Sequence, residues 1–160
     1  MEVPFHIVLV EPEIPHNAGA AGRLAVATGA RLHLVEPLGF SLEDRYVKRT
    51  GMDYWREVDL VVWESFTALR EAADAGARFW MCSTKAERTH WEADFAVGDY
   101  LVFGCESRGL PEAWIREAGD TALRVPMMAG RSLNLSTAVA VVLYEGLRGL
   151  DGWGGAGLRG

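Results

Sequence analysis

Residues 5–25 read "FHIVLVEPEIPHNAGAAGRLA". The first six are almost continuously apolar and rich in β-branched residues, which reads as a strand buried on both faces. Pro12, Pro15 and Asn17 interrupt the run, and an alanine-rich segment with helical composition follows. Asn17 is the candidate N-cap of a helix over 18–30. Gly19 and Gly22 leave the start of that helix bare, so backbone or ligand can approach closely. Arg23 projects from its first turns, and a planar guanidinium suits a phosphate. Read singly, Asn17 is only a cap and Arg23 only a surface residue.

The same strand-like texture recurs at 31–36, 58–63, 78–84, 100–105 and 122–127. Helix-like segments lie between at 41–49, 65–76 and 111–118, with a last one at 134–149. Alternation of this kind predicts an α/β fold with a parallel sheet. The last segment, "NLSTAVAVVLYEGLRGL", has almost no polar face, so it must be covered all round. A two-fold homodimer supplies that cover, with Ser136, Ala138 and Ala140 allowing close approach; a central helix of a monomer is the alternative. Residues 1–150 are expected to form one domain, and 151–160, "DGWGGAGLRG", a flexible glycine-rich tail.

Composition narrows the classes. With 160 residues, 49% of them hydrophobic, the chain can bury a proper core. No apolar run approaches the ~20 residues that span a bilayer. The start lacks the basic region of a secretory leader. Cys82 and Cys105 have neither metal-ligand spacing nor a disulfide framework. A cytoplasmic, reduced protein with no membrane or metal partner is expected. The net charge of −6 argues against a broad basic surface for nucleic acid. Local arginines remain: Arg45, Lys48 and Arg49 cluster in "RYVKR", and Arg23, Arg108, Arg116, Arg124 and Arg131 adjoin glycine-rich or turn-like stretches.

Two later stretches share the character of the first: "VFGCESRGLP" at 102–111 and "RVPMMAGRSLNLSTA" at 124–138. Each follows a strand, and in the second Ser132, Asn134 or Ser136 can cap the helix beyond. Three such loops meeting at the C-terminal edge of a parallel sheet would form a ligand site. "NAGAAG" at 17–22 also approaches the dinucleotide fingerprint G-x-G-x-x-G, with Glu36 placed to hold a ribose. Against that reading, Asn17 replaces the turn glycine, and seven residues separate the strand from Ala18.

Taken together, "IVLVEPEIPHNAGAAGRL", "RLHLVEPLGF", "KRTGMDYW", "DYLVFGCESRGLP" and "RSLNLSTAVAVVLYE" resemble the SPOUT class of RNA methyltransferases. The likeness is greatest to small bacterial tRNA enzymes that methylate the wobble ribose 2′-hydroxyl, and it runs from about residue 5 to 149. His16 and Ala20 stand where relatives often carry proline and asparagine. The resemblance implies an α/β sheet with a deep C-terminal trefoil knot, S-adenosylmethionine as cofactor, and a homodimer packed through the last helix. It implies a tRNA anticodon stem-loop as partner. The family's catalytic arginine falls on Arg23, with Ser132 and Asn134 beside the chemistry. Cofactor positions fall on Cys82, Gly104, Glu106, Val125, Ser132 and Leu133. Asn17, Arg23, Arg108, Arg131 and Tyr144 are the expected RNA contacts, and Tyr54 or Trp55 either stacks on a base or packs in the core.

Transfer to a ribose hydroxyl needs alignment and loss of a proton. Arg23 is either the base or a clamp that holds the neighbouring phosphate and steadies alkoxide charge; a charged guanidinium has no acceptor. The alternatives are another RNA ribose methyltransferase, a nicotinamide-dependent oxidoreductase using "NAGAAG", and an RNA-binding protein without catalysis.

Overall fold

In the computed structural model, seven parallel strands build one sheet: β1 (Phe5–Val10), β2 (Arg31–Val35), β3 (Leu60–Trp63), β4 (Phe79–Cys82), β5 (Arg88–Thr89), β6 (Asp99–Phe103) and β7 (Ala122–Arg124). The structure describes residues 2–43 and 52–153, with backbone alone for 52–54. Their order across the sheet is β3-β2-β1-β6-β4-β7-β5. Four α-helices are described: α1 (Pro15–Thr28), α2 (Phe66–Ala72), α3 (Glu112–Ala118) and α4 (Leu135–Arg148). Of the expected helix over 41–49, residues 41–43 are irregular or turn, and the rest, with the Arg45, Lys48 and Arg49 cluster, lies outside the described residues.

The nearly continuous apolar strands are explained by two cores. Phe5, Ile7 and Leu9 of β1 meet Ala21, Ala25, Val139, Val142 and Leu143 of α1 and α4. Val8 and Val10 face the other way, towards Phe66, Leu69 and Leu110. The sheet is therefore a middle layer between two layers of helix, the arrangement that buries parallel strands on both faces. The two-residue β5 has no apolar run and was not legible as a strand. β7 ends at Arg124, before Pro126, three residues short of the expected run.

α1 starts three residues earlier than its sequence suggests. Pro15 occupies the first turn, where its missing N–H is harmless, and Ile14 is the N-cap without a side-chain bond. Asn17 is thus not the cap. "NAGAAG" lies inside the helix with Asn17, Ala18, Gly19, Ala21 and Gly22 buried. A Cβ on Gly22 would come within 2.7 Å of the Trp55 ring, so Gly22 serves helix packing, not a phosphate. This removes the dinucleotide reading and places Trp55 against α1, not on an open surface. Tyr54 lies outside the described side chains.

α4 buries Val139, Val142, Leu143, Gly146 and Leu147 and is capped by Asn134, which accepts from Thr137 N. Its opposite side is open: Val141 is 36% and Tyr144 45% exposed. Of the expected tail, Trp153 packs on the first core and edge-on to Tyr144; residues 154–160 lie outside the described residues.

Candidate active site

The strand order sets where a ligand can bind. From β1 the chain winds outward through β2 to β3, whereas β6, β4, β7 and β5 lie on its other side. The strand order changes direction between β1 and β6, and beside this switch point the loops after β4, β6 and β7 leave a crevice at the C-terminal ends of the strands. A cleft of about 530 Å³ opens there, within the range of small-molecule sites. Its walls are 83–85 after β4, 104–110 after β6, and 125–135 after β7, with Ile14 and Asn17 of the first loop and helix at the rim. The three polar loops singled out by sequence do meet, joined by the loop after β4.

The 104–110 loop is folded back on itself. Cys105 pairs with Gly109 as an antiparallel bridge, and Gly109 N donates to Cys105 O at 2.9 Å. A Cβ on Gly104 would stand 2.1 Å from the Gly109 carbonyl carbon and 2.2 Å from Leu110 N. Only glycine fits, and the cleft wall here is bare backbone. Leu110, Val125, Leu133, Leu135 and Ala138 add apolar surface, and Lys85, Arg108 and Arg131 bring the cleft's positive charges. Lys85 also pairs with Glu112.

A hydrogen-bonded chain crosses the cleft rim. Ser136 Oγ donates to Asn134 Oδ1 at 2.6 Å, and Asn134 Nδ2 donates to Asn17 Oδ1 at 3.2 Å. Asn17 Nδ2 donates to Glu106 Oε2 at 3.0 Å. The Glu106 carboxylate also accepts from Glu13 N at 2.7 Å and Ile14 N at 2.8 Å. It therefore satisfies backbone donors at the entry to α1, the job a local cap would otherwise do. In return Glu13 Oε1 accepts from Ser107 N at 2.8 Å. The hydrogen bonds from Ser107 hold the Glu13 carboxyl below its ordinary range.

Of the expected residues, Asn17, Cys82, Gly104, Glu106, Arg108, Val125, Arg131, Ser132, Leu133 and Asn134 line the cleft. Arg23 and Tyr144 do not; both are exposed, on α1 and α4. Burial pushes the Cys82 thiol up to about 12, so it is a neutral wall residue and no nucleophile at pH 7. Glu106 and Asn17 are spent on each other and on loop backbone more than on an open ligand face. Sequence reasoning missed Glu13, whose partner is 94 positions away. Ser83, Thr84 and Lys85 directly follow a recognised strand, and the 80–85 stretch was expected to lie beside the cofactor.

This is the architecture of a small-molecule-dependent enzyme of the α/β class, and residues 4–144 match the SpoU rRNA Methylase family. The chain belongs to that family. It is 48% identical over 146 residues to a tRNA (cytidine(34)-2'-O)-methyltransferase of Aeromonas hydrophila, covering 90% of this chain and 93% of that protein. A protein of the same name from Methylovorus glucosotrophus is 49% identical, with 92% and 96% covered. A solved structure concerned with 2-OH methylation of C/U34 on tRNA superposes with a TM-score of 0.88 at 49% identity, over 92% of this chain and 97% of that one. The SpoU methyltransferase AviRb from Streptomyces viridochromogenes, solved with AdoMet, gives 0.80 at 25% identity, over 92% and 58%.

Proposed function

We propose that this chain transfers a methyl group from S-adenosylmethionine to the ribose 2′-hydroxyl of nucleotide 34, the wobble position, of a tRNA. The observation that carries the reading is the cleft of the switch point, built by the loops of a chain that matches tRNA (cytidine(34)-2'-O)-methyltransferases along almost its whole length. The cleft fits the cofactor. Bare backbone at Gly104 and apolar Leu110, Val125 and Leu133 suit a purine and its ribose, and Lys85, Arg108 and Arg131 suit carboxylate and phosphate. Bound there, S-adenosylmethionine supplies an activated methyl group. Ser132, Leu133 and Asn134 belong to the loop that would hold its reacting end. Cys82 closes the apolar wall.

Arg23 fixes the RNA phosphate and steadies charge on the 2′-oxygen as its proton passes to solvent water. It does not line the cleft of its own chain, and Tyr144 and Val141 leave an apolar stripe open on the neighbouring helix. Both observations support a homodimer in which α1 and α4 of one copy border the cleft of the other. The C-terminal segment is knotted in this reading. α4 contacts α1, β1, β6 and the 90–92 turn of the β4–β6 connection, the packing expected if it passes through that connection. The anticodon stem-loop lies across the dimer on Arg108 and Arg131, and the cytoplasm keeps Cys82 and Cys105 as free thiols.

Purified protein is incubated with methyl-labelled S-adenosylmethionine and tRNA lacking ribose methylation at position 34. Label on that ribose, absent with Arg23→Ala, supports the reading. Label elsewhere in RNA transfers the function to another ribose site, and absence of both label and cofactor binding overturns it. Sedimentation of the same sample reads the dimer.

A further inference from the structure

Three successive residues at the tip of the 104–110 loop each engage the loop after β1. Glu106 accepts from the backbone of Glu13 and Ile14 and from Asn17. Ser107 N donates to Glu13 Oε1. Arg108 Nη2 stands 3.9 Å from Glu11 Oε1. The contact is reciprocal: a carboxylate of each loop binds backbone N–H of the other. Such charge-assisted bonds are directional and stronger than neutral ones. The first loop is also braced from behind, where Gly39 N donates to Pro12 O at 2.9 Å and a Cβ on Gly39 would meet Glu13 Cα at 2.8 Å. Glu11, at the start of that loop, holds φ 53°, a left-handed backbone that the surroundings must maintain. The tip therefore cannot shift without releasing the entry to α1.

We propose that Glu13 is a positioning residue that couples the cofactor loop to the RNA-side helix, so that each ligand tightens the binding of the other. This rests on the reading that the cleft holds S-adenosylmethionine and that α1 faces RNA. Glu13 touches neither reacting group in this scheme. It fixes Ser107, and through Ser107 the backbone of Gly104 and Cys105 against which the cofactor sits. Coupling is reciprocal: if tRNA tightens the cofactor by some factor, the cofactor tightens tRNA by the same factor. A broken clamp uncouples both.

The test measures cofactor Kd by calorimetry with S-adenosylhomocysteine, with and without saturating tRNA, and tRNA Kd with and without that probe. Glu13→Gln keeps an acceptor for Ser107 N, and Glu13→Ala removes it. The expected result is a rise of about tenfold in probe Kd for Glu13→Ala. Its coupling factor falls to about one. Glu13→Gln stays within about threefold of the wild type on both readouts. Melting curves confirm that both variants are folded. Glu13→Ala retaining the wild-type Kd and coupling overturns the inference, and so does Glu13→Gln failing as completely as Glu13→Ala while folded. Methyl transfer to position 34 by the wild type, measured alongside, keeps the two questions apart. Its absence strikes the proposed reaction, and its presence with an indifferent Glu13→Ala strikes only the coupling.

Discussion

Asn134 Nδ2 donates to Asn17 Oδ1 across 3.2 Å, so the residue that caps the last helix is tied to the first turn of the first helix. Asn17 is 4% exposed, and its other amide end donates to Glu106. An amide can accept from one neighbour and donate to the other, which an ionised carboxylate of the same size cannot. Asn17→Asp turns the donor into an acceptor facing a carboxylate. The expected loss is about 2 kcal/mol of stability at pH 7. That appears as a Tm fall of about 4–8 °C. An unchanged Tm would show that Glu106 does not need the amide proton.

Gly104 offers a sharper test of the cleft wall. A methyl group there would sit 2.1 Å from the Gly109 carbonyl carbon, and backbone cannot swing aside as a flexible side chain can. Gly104→Ala must open the 105–109 turn or displace the end of β6. Cofactor affinity is expected to fall by more than about tenfold, with a loss of stability of about 2–3 kcal/mol from the strained turn. Calorimetric titration with S-adenosylhomocysteine reads the first, and urea unfolding the second. A variant that binds normally would mean the cofactor does not depend on this backbone.

The inner strands carried their own signal because both of their faces are buried, and edge strand β3 carried it through its apolar run although Val62 is exposed. Six apolar runs fell on six of the seven strands, and β1 ended where the sequence placed it, at Val10. β5 has only Arg88 and Thr89, and its place at the sheet edge comes from pairing with β7, which no local pattern encodes. The start of α1 was missed for a related reason. Its capping carboxylate, Glu106, comes from 89 positions beyond Asn17, so Asn17 looked like the cap when it is the acceptor and donor of a longer chain. Cleft residues after strands were readable because parallel sheets bind at that edge. Arg23 was readable as a family position, but its sequence neighbours give no hint that the cleft of its own chain leaves it out.

Arg23 should separate charge from shape. Arg23→Ala is expected to lower methyl transfer by about 10²–10³ fold, the usual effect of removing a preorganised donor to developing negative charge. Arg23→Lys keeps the charge and loses the planar fork, and is expected to stay below about a tenth of wild-type activity. Because Arg23 does not line the cleft of its own chain and is assigned to the RNA phosphate, S-adenosylhomocysteine affinity without tRNA should change little in both. Single-turnover transfer with saturating tRNA checks the rate. Full activity in Arg23→Lys would reduce the role to a point charge.

A histidine pair on the second face of the sheet makes stability fall in mild acid. Trp63 Nε1 donates to His33 Nδ1 at 2.9 Å, so His33 carries its proton on Nε2 and donates to His6 Nδ1 at 2.8 Å. His6 stacks on Tyr100 with ring centroids 4.0 Å apart. Burial, more than the nearby Arg31, pushes His6 down to about 4 and His33 down to about 3. Both are below the ordinary histidine value of about 6.5, so the unfolded chain takes up more protons as pH falls. The pair's full contribution is present above about pH 6.5 and is lost progressively as pH falls towards about 4 for His6 and about 3 for His33. His6→Phe keeps the stacking ring and removes one titrating group. It leaves the His33 Nε2 proton unpaired, so the variant should be less stable than wild type at pH 8 by about 1–2 kcal/mol. Between pH 6 and 5 its stability should decline about half as steeply, and the two curves should converge. Urea unfolding at half-unit pH steps measures both, and parallel curves across that interval would show that these histidines do not set the acid limit.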